Sequence, residues 1–236
     1  MAPDDYPTIF ALATTLIGFL AYHFLAQSPW LRHWIRKRSP RGLFSPNRIF
    51  AQRFLGILFL GLLPFTATWL FQTRDLDLIG LGKGDLSQSL RATALLSAVI
   101  VLITFFNAGK ESNLDMYPQI RVKEWSWRLV FWSSLTWALY LFAYEFLFRG
   151  VLFFLVLHAE GFAVATAINV AVYALAHLPK GEKETLGAIP LGFVLCWFTF
   201  ATGSIWLAVT VHVVMALSNE WLSIYYHPEM RVIKPA

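Results

Sequence analysis

The sequence predicts an all-α, polytopic integral membrane protein, a helical bundle of about seven transmembrane helices. Three observations carry that expectation. Of its 236 residues 57% are apolar and only 14% charged, where a typical soluble domain carries about a quarter charged residues. The apolar residues run in long blocks rather than alternating stripes, and blocks near 20 residues match the hydrocarbon thickness that a helix must cross. The basic residues gather between alternate blocks, as they do in cytoplasmic loops beside anionic lipid.

The blocks, in chain order, are Ile9–Gln27, Phe54–Phe71, Ala92–Asn107, Leu129–His158, Phe162–His177, Thr185–Phe200 and Ile205–Leu222. Ahead of the first stands "MAPDDYPT", acidic and followed by no small-residue cleavage site, so that block is expected to remain as a span. The fourth block has 30 residues, about 45 Å of continuous helix. Its Trp-rich start, "EWSWRLVFW", is expected at the membrane interface, which centres the span near Glu145. The loop "RDLDLIGLGKGDLSQSL" reads as an exposed linker with a short helix.

Basic residues fix the orientation. Arg32, Arg36, Lys37, Arg38, Arg41, Arg48 and Arg53 crowd the first loop, and with the later loops on the same side they bring fifteen of nineteen to one side. Only Arg74, Lys83 and Arg91 fall on the other. The N-terminus is therefore expected outside and the C-terminus in the cytoplasm, in a membrane such as the inner membrane of a bacterial cell. Residues 1–128 read as a three-span region with a basic cytoplasmic loop, 129–225 as a core, and 226–236 as a cytoplasmic tail. A net charge of +5 does not argue for nucleic acid, because a basic loop beside a span has a sufficient partner in membrane lipid. The single cysteine, Cys196, permits no intrachain disulfide and no thiol pair for a metal.

Chemistry is expected where charge interrupts the greasy blocks. Glu145 and Arg149, in "AYEFLFRG", are the only charges between Leu129 and His158 and stand four residues apart on one helix face. Charge at that depth is expensive, so the pair has either a task or a structural partner. In "NVAVYALAHLPK", Asn169, Tyr173 and His177 form a polar stripe at successive turns. In "GSIWLAVTVHVVMALSNEW", His212 lies mid-block, seven residues before Asn219 and on nearly the same face. Converging, these three blocks would form a buried polar pocket able to hold a water.

The ordered set "YEFLFRG", "YALAH" and "SIWLAVTVH" resembles the CPBP family of intramembrane glutamic proteases. That family includes the type II CAAX prenyl endopeptidases and the Abi-type bacteriocin-related proteins. Its signature is Glu-Glu-x-x-x-Arg, then an aromatic-x-x-x-His, then His-x-x-x-Asn. The likeness covers Trp137 to Leu222, and the first three spans match nothing specific. It implies Glu145, Arg149, His177 and His212 as catalytic residues of a peptide-bond hydrolase without cofactor or metal, acting on membrane-anchored or C-terminal tail peptides. Two positions depart from the signature. Tyr144 stands where the family has its leading, water-activating Glu, and Ala216 where it has Asn.

Several readings stay open at this point. Glu145 can activate water itself, with Arg149 orienting it and the histidines holding the oxyanion or shuttling protons. Glu184, just past His177, can serve instead, and Asn219 can replace the missing amide; Tyr144 and Tyr173 are supporting candidates. A zinc site using His177, His212 and a Glu is an alternative, although no His-Glu-x-x-His pair occurs on one helix. So is a non-catalytic binding or immunity protein that keeps the fold, for which Tyr144 and Ala216 speak. The orientation is directly testable: a reporter fused after Arg41 should report as cytoplasmic and one after Lys83 as exterior, and the reverse pattern would overturn the span order.

Overall fold

The computed structural model describes residues 6–38 and 45–233. The expectations placed on residues 1–5, on Arg41 and on Lys234 lie outside them. The chain forms α1 (Tyr6–Ala26), α2 (Pro29–Arg38), α3 (Pro46–Phe71), α4 (Leu86–Asn107), α5 (Trp127–Glu160), α6 (Phe162–His177), α7 (Glu182–Thr202) and α8 (Trp206–Tyr226). Two short strands, β1 (Glu124–Ser126) and β2 (Arg231–Ile233), pair in parallel and tie the tail back to the start of α5. Each of the seven expected blocks coincides with a helix to within about a turn or two. Six are long and apolar enough to cross a membrane, and the seventh, α6, has only 16 residues, about 24 Å.

Local chemistry starts and stops these helices. Ser45, Asp85 and Ser126 cap α3, α4 and α5 by accepting a backbone N–H with the side chain. Gly161 and Gly181, at φ of 84° and 99°, are the hinges on either side of α6, where a residue with Cβ would be strained. They fold α5, α6 and α7 back on one another.

Around α5 everything else is arranged. Its membrane window is 83% buried, against 11% for α4 at the periphery. Phe146, Leu147, Phe148, Val151, Leu152 and Phe153 fill the bundle centre. The stretch Phe146–Phe154 is π-helical, as is Ile57–Leu62 in α3. A wider turn breaks the usual i→i−4 ladder and re-aims the side chains it carries. One carbonyl there, that of Phe148, receives the Asn169 side-chain amide from α6.

The membrane-crossing order is internally consistent. At one end Thr8 donates to Glu160, Asp85 N–H to Thr202 O, and Ile205 N–H to Gly80 O. At the other, β1 meets β2 and Arg231 pairs with Glu124. Loops of like parity thus meet on like sides.

Three local expectations are corrected. The linker between α3 and α4 is not simply exposed: Ile79 is buried, Gly80 lies against Phe154 and Ile205, and Ser204 donates to Gly82 O. It closes that end of the bundle. Trp125, expected at the interface, is fully buried with Ile49, Ile120 and Ile224, because β1 carries it inward; Trp127 and Trp132 remain exposed. Arg53 is not a loop charge. It lies two turns into α3 and is buried.

Small residues set the helix spacing, as they do where lipid offers no hydrophobic drive. The buried face of α1 is Ala11, Thr14, Thr15, Gly18 and Ala26, while Leu16, Ile17 and Phe24 point outward. At Gly18 a Cβ would stand 2.6 Å from the Phe59 carbonyl oxygen of α3, a backbone atom that cannot swing aside. Gly18→Leu should therefore destabilise the bundle by about 1–3 kcal/mol, whereas Gly187→Leu, where a Cβ meets nothing within 4 Å, should leave the detergent melting temperature near wild type.

Candidate active site

The i, i+4 spacing of Glu145 and Arg149 and the π-helical segment that begins at Phe146 put both side chains toward the bundle interior, fully buried. Glu145 Oε2 stands 3.0 Å from Arg149 Nη1, and Oε1 stands 2.6 Å from His212 Nδ1 of α8. Arg149 Cζ lies 4.1 Å above the Tyr173 ring, a cation–π contact that shields the guanidinium. An ion pair this deep survives only where such partners offset desolvation.

The two histidines are oriented alike. His212 Nδ1 faces the Glu145 carboxylate, and His177 Nδ1 faces the Tyr173 carbonyl oxygen at 2.8 Å. Because both partners are acceptors, Nδ1 is a protonated nitrogen in each ring. Between the rings stands Tyr144, its ring centroid 5.9 Å from that of His212 and 6.2 Å from that of His177, edge-on to both.

A cavity of about 580 Å³ meets this cluster. Tyr144, Tyr173, His177 and His212 line it, with Glu184, Ala216 and Asn219 higher on its walls. Further lining comes from α5 and α8 and from the last turns of α1, the first turns of α3 and α7, and the segment before α5, so it opens on the side of the basic loop. His177 near a helix end and His212 in mid-helix thereby share one space. Glu145 and Arg149 do not line it; they lie beneath Tyr144 and Tyr173. Among the described residues no three His, Cys, Asp or Glu side chains come together as a metal site requires.

Sequence reading missed a second polar cluster on the same cavity. Arg53 Nη1 donates to Ser133 O and Oγ, and Nη2 donates to Gln119 Oε1. Ser133 donates to Glu220 Oε1, which also faces Arg53 at 3.9 Å. Glu220 lies inside an apolar block just as Glu145 does, so the reasoning that singled out one carboxylate applies equally to the other. Tyr117, outside the spans, stacks on Trp137 at the cavity wall, and burial, reinforced by the nearby Glu184 and Glu220 charges, pushes its phenol well above the ordinary range.

Chemically, the cavity presents two imidazoles, several phenols and side-chain amides and one wall carboxylate to a guest. Residues 126–218 match the family described as Type II CAAX prenyl endopeptidase Rce1-like, a stretch that contains all four catalytic candidates. No curated protein and no solved structure matches the chain. The buried pair itself is open to test. Arg149→Ala should cost about 3–5 kcal/mol by stranding a buried carboxylate, while Arg149→Met with Glu145→Gln should recover most of it in detergent melting.

Proposed function

We propose that this chain hydrolyses a peptide bond in membrane-anchored or C-terminal tail peptides, because residues 126–218 match the Type II CAAX prenyl endopeptidase Rce1-like family, a CAAX-type intramembrane protease family. The observation that carries the reading is the 2.6 Å contact of Glu145 with His212 beneath a cavity that His212 itself lines. A carboxylate held on Nδ1 orients an imidazole and stabilises its protonated form. Glu145 therefore acts through His212 rather than on water directly.

In this mechanism a water sits between the two Nε2 atoms. His212 Nε2 takes its proton as the hydroxide oxygen adds to the scissile carbonyl, and His177 holds the other hydrogen. The phenol of Tyr144 and the amide of Asn219 donate to the oxyanion that forms. Collapse of that intermediate breaks the C–N bond, and His212 returns its proton to the leaving amine. Arg149 fixes the second oxygen of Glu145 and keeps the carboxylate ionised. The substrate reaches the cavity from the cytoplasmic side, with the N-terminus of the chain outside.

A second reading has its own support, since Tyr144 and Ala216 replace the family's leading carboxylate and its amide: a protein that binds the same peptides without cleaving them. One experiment separates the two. A prenylated peptide of the Cys-aliphatic-aliphatic-X type is incubated with wild type, His212→Ala, Glu145→Gln and Glu184→Gln in lipid nanodiscs. Hydrolysis per folded molecule should fall by about 10²–10⁴ in the first two variants, with a lowered melting temperature in Glu145→Gln, which strands the Arg149 charge, and by less than about tenfold in Glu184→Gln. Loss confined to Glu184→Gln would transfer the base to that residue, and binding without cleavage by wild type would favour the non-catalytic reading.

A further inference from the structure

The cavity has two polar ends, and the histidines occupy only one. At the other stands Arg53, which is 3% exposed and whose guanidinium lies 4.7 Å over the Trp137 ring. Its Nη1 is saturated by Ser133 and Thr136, and Nη2 donates to Gln119. Its Nε makes no hydrogen bond. The facing carboxylate, Glu220, is 3.9 Å away, takes the Ser133 hydroxyl at 2.6 Å, and does not line the cavity. Arg53 does line it, with Gln52 and Gln119 beside it. The other charges on the cavity wall are Lys183 and Glu184, from α7.

A guanidinium that is buried, braced from behind and short of one acceptor is built to receive a planar anion. We infer that Arg53 is a specificity-determining residue that receives the terminal carboxylate of the peptide substrate. The spacing suits such a guest. Trp137 and Tyr144 are seven residues apart on the regular part of α5, about 10 Å at 1.5 Å per residue. An extended peptide covers that distance in about three residues. A carboxylate on Arg53 therefore sets a peptide bond about three residues upstream beside Tyr144 and the two histidines. Gln52 and Gln119 can serve the intervening peptide groups, and Tyr140 gives that stretch an aromatic wall.

This inference rests on the peptidase reading, and it is tested by binding, so that the two can fail separately. The probe is the prenylated peptide of the preceding section, made as its free C-terminal acid and as its C-terminal amide, titrated into wild-type protein in nanodiscs with Trp fluorescence as readout. Wild type should bind the acid about tenfold more tightly than the amide, the magnitude of one charge-assisted contact. Arg53→Gln should lower acid affinity to that of the amide and leave the amide unchanged. Because removing Arg53 strands Glu220, Arg53→Gln with Glu220→Gln provides a neutral pair that should keep the melting temperature and show the same lost preference. His212→Ala should retain it. Equal binding of acid and amide by wild type would overturn the assignment, as would an equal loss for both peptides in the double variant. Acid preference without hydrolysis would overturn the peptidase reading alone.

Discussion

A carboxylate fully removed from solvent in the middle of a greasy bundle is the constraint on which the remaining structure depends. Glu145 cannot stay charged there without compensation, and three elements supply it: Arg149 one turn on, His212 from α8, and the Tyr173 ring over the guanidinium. Two of these compensations recruit a helix, α8 through His212 and α6 through Tyr173. Asn169 of α6 donates to the Phe148 carbonyl in the π-helical turn, and Cys196 of α7 donates to Asn169 in turn. The packing of α5, α6, α7 and α8 is thus specified by polar contacts as much as by shape. Aliphatic side chains alone would leave the rotational setting of these helices weakly defined, since lipid competes for them on equal terms.

The same principle divides the protein into a rigid foundation and a working surface. The ion-paired Glu145 and Arg149 lie below the cavity; His177 and His212, each facing an acceptor at Nδ1, line it. The Arg53–Ser133–Glu220 cluster repeats that division nearer the mouth, where Glu220 is the interior member and Arg53 the lining one. The helices that no family signature covers, α1 and α3, supply Tyr22, Gln52 and Arg53 to the wall. They shape the guest's surroundings while α5, α6 and α8 furnish the reacting groups.

Much of this was legible in the residues, and the limits have physical causes. Helix positions follow from hydropathy because lipid imposes a length on every crossing, and the convergence of Glu145 with His212 follows from the cost of leaving either alone. Periodicity could not tell that Tyr144 faces the cavity while Glu145 faces away, because neighbouring residues point about 100° apart and a π-helical turn begins directly afterwards. Nor could it place Arg53, whose partners Ser133 and Glu220 lie 80 and 167 positions away in the chain. The linker before α4 read as exposed. Backbone hydrogen bonds from Ile205 and Asp85, which composition does not encode, hold it down.

That linker has an electrical consequence. A polar cavity that enters the bundle from one side is half of a pore, and the other half is stoppered by Phe153, Phe154, Ile79 and the backbone contacts at Gly80 and Ser204. Where water fills such a vestibule it conducts, and a membrane voltage then falls mainly across the short dry septum rather than across the full hydrocarbon thickness. Glu145 and Arg149 lie at the vestibule's edge of that septum, oppositely charged and side by side. As a neutral dipole they move little net charge through the field, where a lone carboxylate would feel about 2.3 kcal/mol per 100 mV for a full crossing. Pairing the charges thus keeps the net charge inside such a field near zero, while the dry septum closes the chamber.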